Sequence, residues 1–361
     1  MKNILLLVPR LNIGGAETYV ATVARGLKER GFHVFVASGG GLLAESLRAQ
    51  GIQHCFLPVR ANATLAAYLL EKIIKKYHID LIHANSSAAG IVAVKVKQKL
   101  NVPVVYTAHG VFGHTEKERT INACDKIICV SEFVRQHAME KGFSAEKLVT
   151  LYSGIDLHKF EPNPKNAQEI RRRIGIPEDS FTIAIVSRIK NLRNKGHADI
   201  LNVLENYEGA KNWHLMVIGK GKGKWSLQYH IWKNHLGNRV HMLGHIVNVQ
   251  EVLDGADAVV LPSKFETFGL VLAEAMAMEK PVVTYAVGGT PEVMHDTHTG
   301  FLVEKDNLDE LYEKLAILAK DKALCQTMGK QGRTWVKEKF ASEAMMENII
   351  DIYREVGRSD K

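Results

Sequence analysis

Long apolar runs are absent from this 361-residue chain. No stretch reaches the roughly eighteen residues that a bilayer span needs. The first apolar run, residues 4–8, stops at Pro9 and is too short for a signal-peptide core. The expected location is therefore the cytoplasm. Cysteine is scarce as well: Cys55, Cys124, Cys129 and Cys325 form no CxxC pair and have no histidine at zinc-ligand spacing. Cys124 and Cys129 flank an apolar run and read as small, buried, reduced hydrophobes. A dinucleotide fingerprint is also missing. Gly219-Lys220-Gly221-Lys222-Gly223 follows a strand pattern, but its spacing is not GxGxxG and no acidic residue ends a strand about twenty residues later. That disfavours a nicotinamide dehydrogenase. The segment reads instead as a loop passing close to a flat nucleobase.

What is present is ordinary globular material, 46% hydrophobic and 24% charged, in a length that suits two domains. The net charge of +8 is unevenly spread. Residues 1–160 hold 20 Lys+Arg against 12 Asp+Glu, and the remainder holds 47−20 = 27 against 39−12 = 27. Lys72, Lys75 and Lys76 fall on one candidate helix and Lys95, Lys97 and Lys99 on another. Such a basic face suits an anionic membrane surface or an acidic acceptor, and equally a solvated face that keeps the protein soluble. No aromatic residues interleave these lysines as a stacking platform requires, so nucleic acid is not an expected partner.

Short apolar runs alternate with helical periodicity throughout. Strands are expected at residues 4–8, 34–37, 54–57, 81–83, 104–107, 127–130 and 149–151, with helices between most of them, for example 17–30 and 65–77. The polar, proline-containing stretch 161–166 reads as a linker, with the junction near 161–175. The pattern then restarts, with strands at 181–187, 214–218, 240–243, 258–261, 282–284 and 301–303. Continuous apolar strands separated by helices imply parallel sheets covered on both faces. The expected architecture is α/β, with two doubly wound Rossmann-like domains, residues 1–163 and 164–340, facing across a cleft. A further helix is expected at about 342–354, where Ala344, Ile349, Ile350 and Tyr353 offer an apolar side for docking.

Open α/β sheets bind ligands at the carboxyl ends of their strands, and five motifs lie there. Gly14-Gly15-Ala16-Glu17 links the first strand to a helix, where paired glycines admit a phosphate to the backbone. Arg188, with Lys195-Gly196 further on, places cations past strand 181–187 for a diphosphate. Glu266 and Glu274 bracket Phe268-Gly269-Leu270. Thr267 is expected to cap a helix over 268–278, and two carboxylates eight residues apart are about 12 Å apart along a helix axis. That is beyond the carboxylate pair of a glycoside hydrolase, roughly 5–9.5 Å, and suits two hydroxyl clusters on one long ligand. Gly288-Gly289-Thr290-Pro291-Glu292 follows another strand end, and His109 ends strand 104–107 in the first half. Each motif taken alone also reads as loop or turn structure.

Together, in this order from about Leu5 to Phe340, they resemble glycosyltransferase family 4, the retaining enzymes of GT-B architecture. Glu266 to Glu274 matches the family's E-x7-E element, and Arg188 with Lys195 its cation pair, at slightly longer spacing than usual. Gly288–Glu292 matches its GGxE-type turn and Gly14–Glu17 its N-terminal glycine loop. Ser153-Gly154-Ile155-Asp156 with Phe160 resembles the segment before the linker, with Ser153 where Asn is usual. The resemblance implies that Arg188 and Lys195 neutralise the leaving diphosphate. Gly15 and the backbone of Phe268, Gly269 and Leu270 would approach phosphate or sugar. Glu266 would bind the transferred sugar, Glu274 the ribose, and His109 would lie near the sugar. The backbone around Lys220-Gly221 and His245-Ile246 would frame the base, and the final helix, 341–361, would return to the first domain. It implies transfer of a hexose from a nucleotide-sugar, UDP before GDP, to a glycan or lipid-linked acceptor in cell-surface polysaccharide or glycolipid synthesis. The stereochemistry would be retaining and no metal or other cofactor is expected. The protein would be cytoplasmic, peripheral on the inner membrane face through its basic half. The alternatives are a sugar-nucleotide epimerase or hydrolase, and an inactive sugar-nucleotide-binding scaffold. The first lacks a convincing acid/base set, and the second has no need of Arg188, Glu266 and Glu274 together.

Overall fold

The computed structural model describes residues 1–12, 14–113 and 115–358. Two compact units emerge: residues 1–154 together with the segment from Ser342 onward, and Ile155–Ala341. Each holds an all-parallel sheet with helices between its strands. Unit 1 contains β1 (Asn3–Leu7), β2 (His33–Ser38), β3 (Gln53–Phe56), β4 (Leu81–Ala84), β5 (Val104–Ala108), β6 (Lys126–Cys129) and β7 (Leu148–Thr150). Its helices are α1 (Gly15–Glu29), α2 (Leu42–Ala49), α3 (Ala63–Tyr77), α4 (Ser87–Leu100), α5 (Glu116–Arg119) and α6 (Glu132–Glu140). Unit 2 contains β8 (Thr182–Val186), β9 (His214–Ile218), β10 (Val240–Gly244), β11 (Ala258–Leu261), β12 (Val282–Tyr285) and β13 (Gly300–Val303). Its helices are α7 (Pro164–Ile174), α8 (His197–Asn206), α9 (Lys224–Lys233), α10 (Val249–Leu253), α11 (Leu270–Ala277), α12 (Thr290–Val293), α13 (Leu308–Lys320) and α14 (Lys322–Lys339). The closing helix, α15 (Ser342–Arg358), belongs to unit 1.

The strand orders are β3-β2-β1-β4-β5-β6-β7 and β10-β9-β8-β11-β12-β13. Both run outward from a first strand and then reverse, the doubly wound pattern with a topological switch point. In unit 1 the switch lies between β1 and β4, paired in register Ile4↔Leu81 to Leu7↔Ala84. In unit 2 it lies between β8 and β11, paired at Ala258↔Ile183 and Val259↔Ala184. Every expected strand is present, its ends moved by no more than two residues.

Sequence chemistry explains the helix ends. Asn62 caps α3, its side chain accepting from the N–H groups of Thr64 and Leu65 at 2.9 and 3.1 Å. The apolar side of α15, with Met345, Met346, Ile349, Ile350 and Tyr353, enters the core built by Ile4, Leu6, Val20 and Leu27. Ion pairs Arg30–Glu347 at 2.9 Å and Lys126–Glu355 at 2.8 Å rim that contact.

Three expectations about boundaries need correction. The stretch expected as a linker is helical from Pro164, because proline at the first helical position loses only an N–H that would be unpaired anyway. The units divide after Gly154 rather than after residue 163. Ile155 donates its N–H to Phe340 O at 2.7 Å and bridges Ala341, and Arg333 donates to Phe160 O at 2.7 Å, so residues 155–160 are tied to unit 2. Finally, α11 starts at Leu270 with Gly269 as its N-cap, so Thr267 does not cap it. Gly269 sits at φ 90°, which glycine adopts without a Cβ penalty.

Candidate active site

In unit 2 the motifs converge on the carboxyl edge of one sheet. Arg188 lies two residues past β8, Glu266 follows β11, Gly288 and Gly289 follow β12, Lys220 and Gly221 follow β9, and His245 and Ile246 follow β10. Because all these strands are parallel, their carboxyl ends share one edge, and β8 and β11 flank the switch point.

Close backbone approach organises this edge. A Cβ on Gly219 would lie 1.9 Å from Ser187 O and one on Gly221 2.1 Å from Ile189 O. The glycines of the 219–223 loop are therefore demanded by the neighbouring Arg188 loop, to which Lys220 O is also joined by the Ile189 N–H at 3.1 Å. Gly196 is the same device: at φ 72° its Cβ position is occupied by Pro262, whose O would be 2.1 Å away. That packing holds the Lys195 loop against the end of β11.

The result is a contact between two of the separated motifs. Lys195 Nζ donates to Glu266 Oε1 at 2.5 Å, with the two side chains 32% and 13% exposed. The glycine turn joins the same cluster, as Gly289 N–H donates to Glu266 O at 3.1 Å. Thr290 Oγ1 donates to Tyr285 O at 2.7 Å and holds the turn closed, with Glu292 half-buried on α12. Arg188 is exposed and enters no ion pair among the described residues. Phe268 is buried, its ring edge-on to Phe340 at 5.5 Å, which fixes the backbone of Phe268-Gly269-Leu270.

Glu274 lies within α11, between buried Ala273 and Ala275. Burial pushes its carboxyl up to about 7, against a smaller downward pull from Lys159. Since Glu266 precedes the helix, a separation calculated along the helix axis does not apply to the two carboxylates. His245 Nε2 and Ser263 Oγ are buried without a hydrogen-bond partner among the described residues. Burial, and secondarily Lys220, lowers the His245 pKa, keeping the ring neutral.

In unit 1, Gly14 is the N-cap of α1 and Gly15 its first residue, and a Cβ built on Gly15 would meet nothing within 4 Å. Packing within the protein does not demand a glycine there, whereas a ligand approaching the backbone would. His109 follows β5, with Nε2 3.2 Å from Asn85 Oδ1 and its ring edge-on to Tyr19 at 4.8 Å. Burial lowers its pKa to about 3, so the imidazole is neutral at physiological pH.

Sequence reasoning missed several members of these clusters. His83, wholly buried in β4, joins Tyr353 OH through Nδ1 and Thr107 Oγ1 through Nε2, both at 2.6 Å. Burial, then the neighbouring His109, lowers its pKa to about 3. Its one signal was a polar residue inside an apolar strand. In unit 2, Lys264 Nζ donates to Asp199 at 2.5 Å and to Asp306, while Tyr285 OH donates to Asp199 at 2.8 Å. Lys159 and Asp199 reach their partners across more than sixty residues of chain and carried no local signal. Among the described residues no three His, Cys, Asp or Glu side chains group as a metal site would require.

The two halves match two family descriptions: Glycosyltransferase Family 4 over residues 13–159 and Glycosyl transferases group 1 over residues 166–335. The uncharacterized glycosyltransferase MJ1178 of Methanocaldococcus jannaschii is 27% identical over 359 residues, covering 95% of each chain. The N-acetyl-alpha-D-glucosaminyl L-malate synthase of Bacillus anthracis is 25% identical over 371 residues, 97% of this chain and 96% of that one. Among solved structures, Anabaena Alr3699/HepE in complex with UDP and glucose superposes with a TM-score of 0.88 at 22% identity, covering 98% of this chain and 99% of that chain.

Proposed function

Because the chain belongs to glycosyltransferase family 4 and has the GT-B fold of two Rossmann-like units, we propose that it transfers a hexose from UDP-sugar to an acceptor hydroxyl with retention and without a metal. The observation that carries the reading is the Lys195–Glu266 contact at the switch point of unit 2, with Arg188 past the end of the adjacent strand and in no ion pair among the described residues. A leaving diphosphate develops negative charge, and preorganised cations stabilise it most in the transition state. Each charge-assisted hydrogen bond there contributes roughly 1.5–3 kcal/mol. Arg188 is free to take that role. Lys195 holds Glu266 for sugar hydroxyls and stands ready to shift toward phosphate. Glu274, ionised in the upper half of the physiological range, accepts from the ribose hydroxyls.

We assign no side chain as a covalent nucleophile on the sugar and keep Glu266 for its hydroxyls. The acceptor hydroxyl attacks the face from which the diphosphate departs, through an oxocarbenium-like state, and the diphosphate oxygen takes the acceptor proton. His109 is neutral and serves as a hydrogen-bond partner of the sugar, not as an acid. The backbone of Lys220-Gly221 and His245-Ile246 lines the place for the base. UDP is favoured over GDP by the bound UDP of the Anabaena relative.

The acceptor is taken to be a glycan or lipid-linked hydroxyl, and unit 1 supports a peripheral site on an anionic membrane. On α3, Lys72, Lys75 and Lys76 are exposed, beside exposed Leu65 and Tyr68. On α4, by contrast, Lys97 pairs with Asp125 and Lys99 with Glu71, leaving less free charge. No described helix is long and apolar enough to cross a membrane.

The first test is a thermal-shift screen with UDP, GDP, ADP and their sugar conjugates, since a ligand of the native state raises its stability by mass action. UDP and one UDP-sugar should raise Tm selectively. A rise with GDP alone would overturn the donor assignment. Transfer should survive excess EDTA, and the product's anomeric proton coupling should match the donor's configuration.

A further inference from the structure

The charge balance of the second half conceals a segment of one sign. Between Gly209 and Gln250 there is no carboxylate, while Lys211, Lys220, Lys222, Lys224, Lys233 and Arg239 are all present. At its centre lies α9. One face of this helix is fastened inward, with Leu227 and Ile231 in the unit 2 core. The opposite face carries Trp225, Tyr229 and Trp232, 76%, 61% and 73% exposed. Their i, i+4, i+7 spacing makes one stripe about 10 Å long. Tyr229 and Trp232 rings lie 6.0 Å apart, and Lys224 Nζ is 5.8 Å from the Trp225 ring. The carboxylate contacting α9 among the described residues is Glu205, met on the flank by His230 and Asn234. Two of the chain's four tryptophans are therefore held in water. Nothing in the proposed donor chemistry uses them.

We propose that the Trp225–Tyr229–Trp232 face of α9, with Lys224 and Lys233, is an interfacial anchor that seats unit 2 on an anionic lipid surface. Tryptophan and tyrosine partition to the headgroup level, where an apolar ring and a polar edge are both satisfied. Lysines at the helix ends reach back to lipid phosphates while their stems lie along the apolar boundary. The occupant follows from charge and shape. A symmetric second copy would set this lysine-bearing face against itself, like charge on like. A single strand of nucleic acid is tracked by a groove, and rings more than 60% exposed have no groove walls. This anchor stands apart from the α3 reading, since it is led by aromatic insertion rather than by charge.

The test uses the full chain with vesicles of phosphatidylglycerol and phosphatidylcholine, brominated at shallow acyl positions, and reads tryptophan emission. Trp213 is buried in the unit 2 core and Trp335 donates its indole N–H to Val293 O at 2.9 Å, so shallow quenching reports Trp225 and Trp232. The expected result is quenching with a blue shift that persists at high salt. Changing Trp225→Ser, Tyr229→Ser and Trp232→Ser together should remove it and weaken binding about tenfold or more, with nucleotide-sugar hydrolysis and Tm unchanged. A Lys72→Gln, Lys75→Gln, Lys76→Gln variant should keep the quenching and lose only salt-sensitive binding, which separates failure of the α3 reading from failure of this one. Three outcomes would overturn the proposal: no quenching by vesicles; quenching unaltered in the α9 variant; or light scattering showing a dimer that the α9 variant disperses while vesicles leave the emission unchanged.

Discussion

The two units share a strand order but place opposite chemistry at their switch points. Beside β1 and β4 in unit 1, the histidines are neutral, His83 fully buried and His109 partly so. His83 is held between Tyr353 and Thr107, and His109 sits by Asn85 and Tyr19. Beside β8 and β11 in unit 2, the groups are charged and reachable: Arg188, Lys195 and Glu266, with Lys264 and Asp199 below. Burial holds both unit 1 histidines near pKa 3. Topology thus sets where a ligand can approach, and the residues at the strand ends set which ligand. On the proposed reading, the charged edge suits a diphosphate.

The contrast breaks most directly at Arg188. Arg188→Ala should lower kcat for transfer by about 10²–10³-fold, the cost of removing a preorganised donor to developing negative charge. Because Arg188 is exposed and in no ion pair among the described residues, Tm should hold. A near-normal rate would remove it from the mechanism. Next in size, Lys195→Ala and Glu266→Gln should each cost roughly 10–100-fold, and the double variant less than the product of the two, since paired groups couple. Additive losses in that double-mutant cycle would show that the 2.5 Å contact is incidental to turnover.

Glu274 sharpens the comparison through pH. Affinity for a UDP-sugar, whose diphosphate does not titrate near neutrality, should rise about tenfold from pH 6 to pH 8 as the carboxyl ionises. Glu274→Gln should flatten that profile in calorimetric titrations. Its folded pKa, about 7, is raised, so its contribution to stability is full below the ordinary range near 4.5 and is lost as pH rises through 7. Unliganded Glu274→Gln should therefore gain stability relative to the parent above pH 7. The smallest effect belongs to unit 1. Tyr353→Phe, which removes the hydroxyl at His83, should cost about 1 kcal/mol in urea unfolding. His83 and His109 have lowered pKa values, so their contribution is present above about 6.5 and is lost as pH falls toward 3.

Much of this was legible in the chain, and unevenly. The strands could be read because a parallel strand buried on both faces is a continuous apolar run, as in Ile4-Leu5-Leu6-Leu7. Positions at strand ends followed, so Arg188, Glu266, Gly288 and His109 could be placed before their neighbours were known. Helix starts were less secure. Thr267 looked like a cap, yet the chain runs on to Gly269, whose left-handed backbone no residue pattern announces. Counting charge by halves hid the carboxylate-free run around α9, because compensating acids lie elsewhere in the same unit.

By itself, then, the sequence determined the two α/β units, the strand-end edge where the candidate site residues sit, and the family to which the chain belongs, since each is written in local periodicity and in order along the chain. Tertiary structure alone decided that Lys195 meets Glu266, that Lys159 acts on Glu274, that His83 ties α15 to the first sheet, and that Trp225, Tyr229 and Trp232 face water rather than a core. Those outcomes depend on which residues distant in sequence fill the same space. A Cβ excluded by Pro262 at Gly196, or a half-buried carboxyl in α11, is a property of neighbours that only folding brings near.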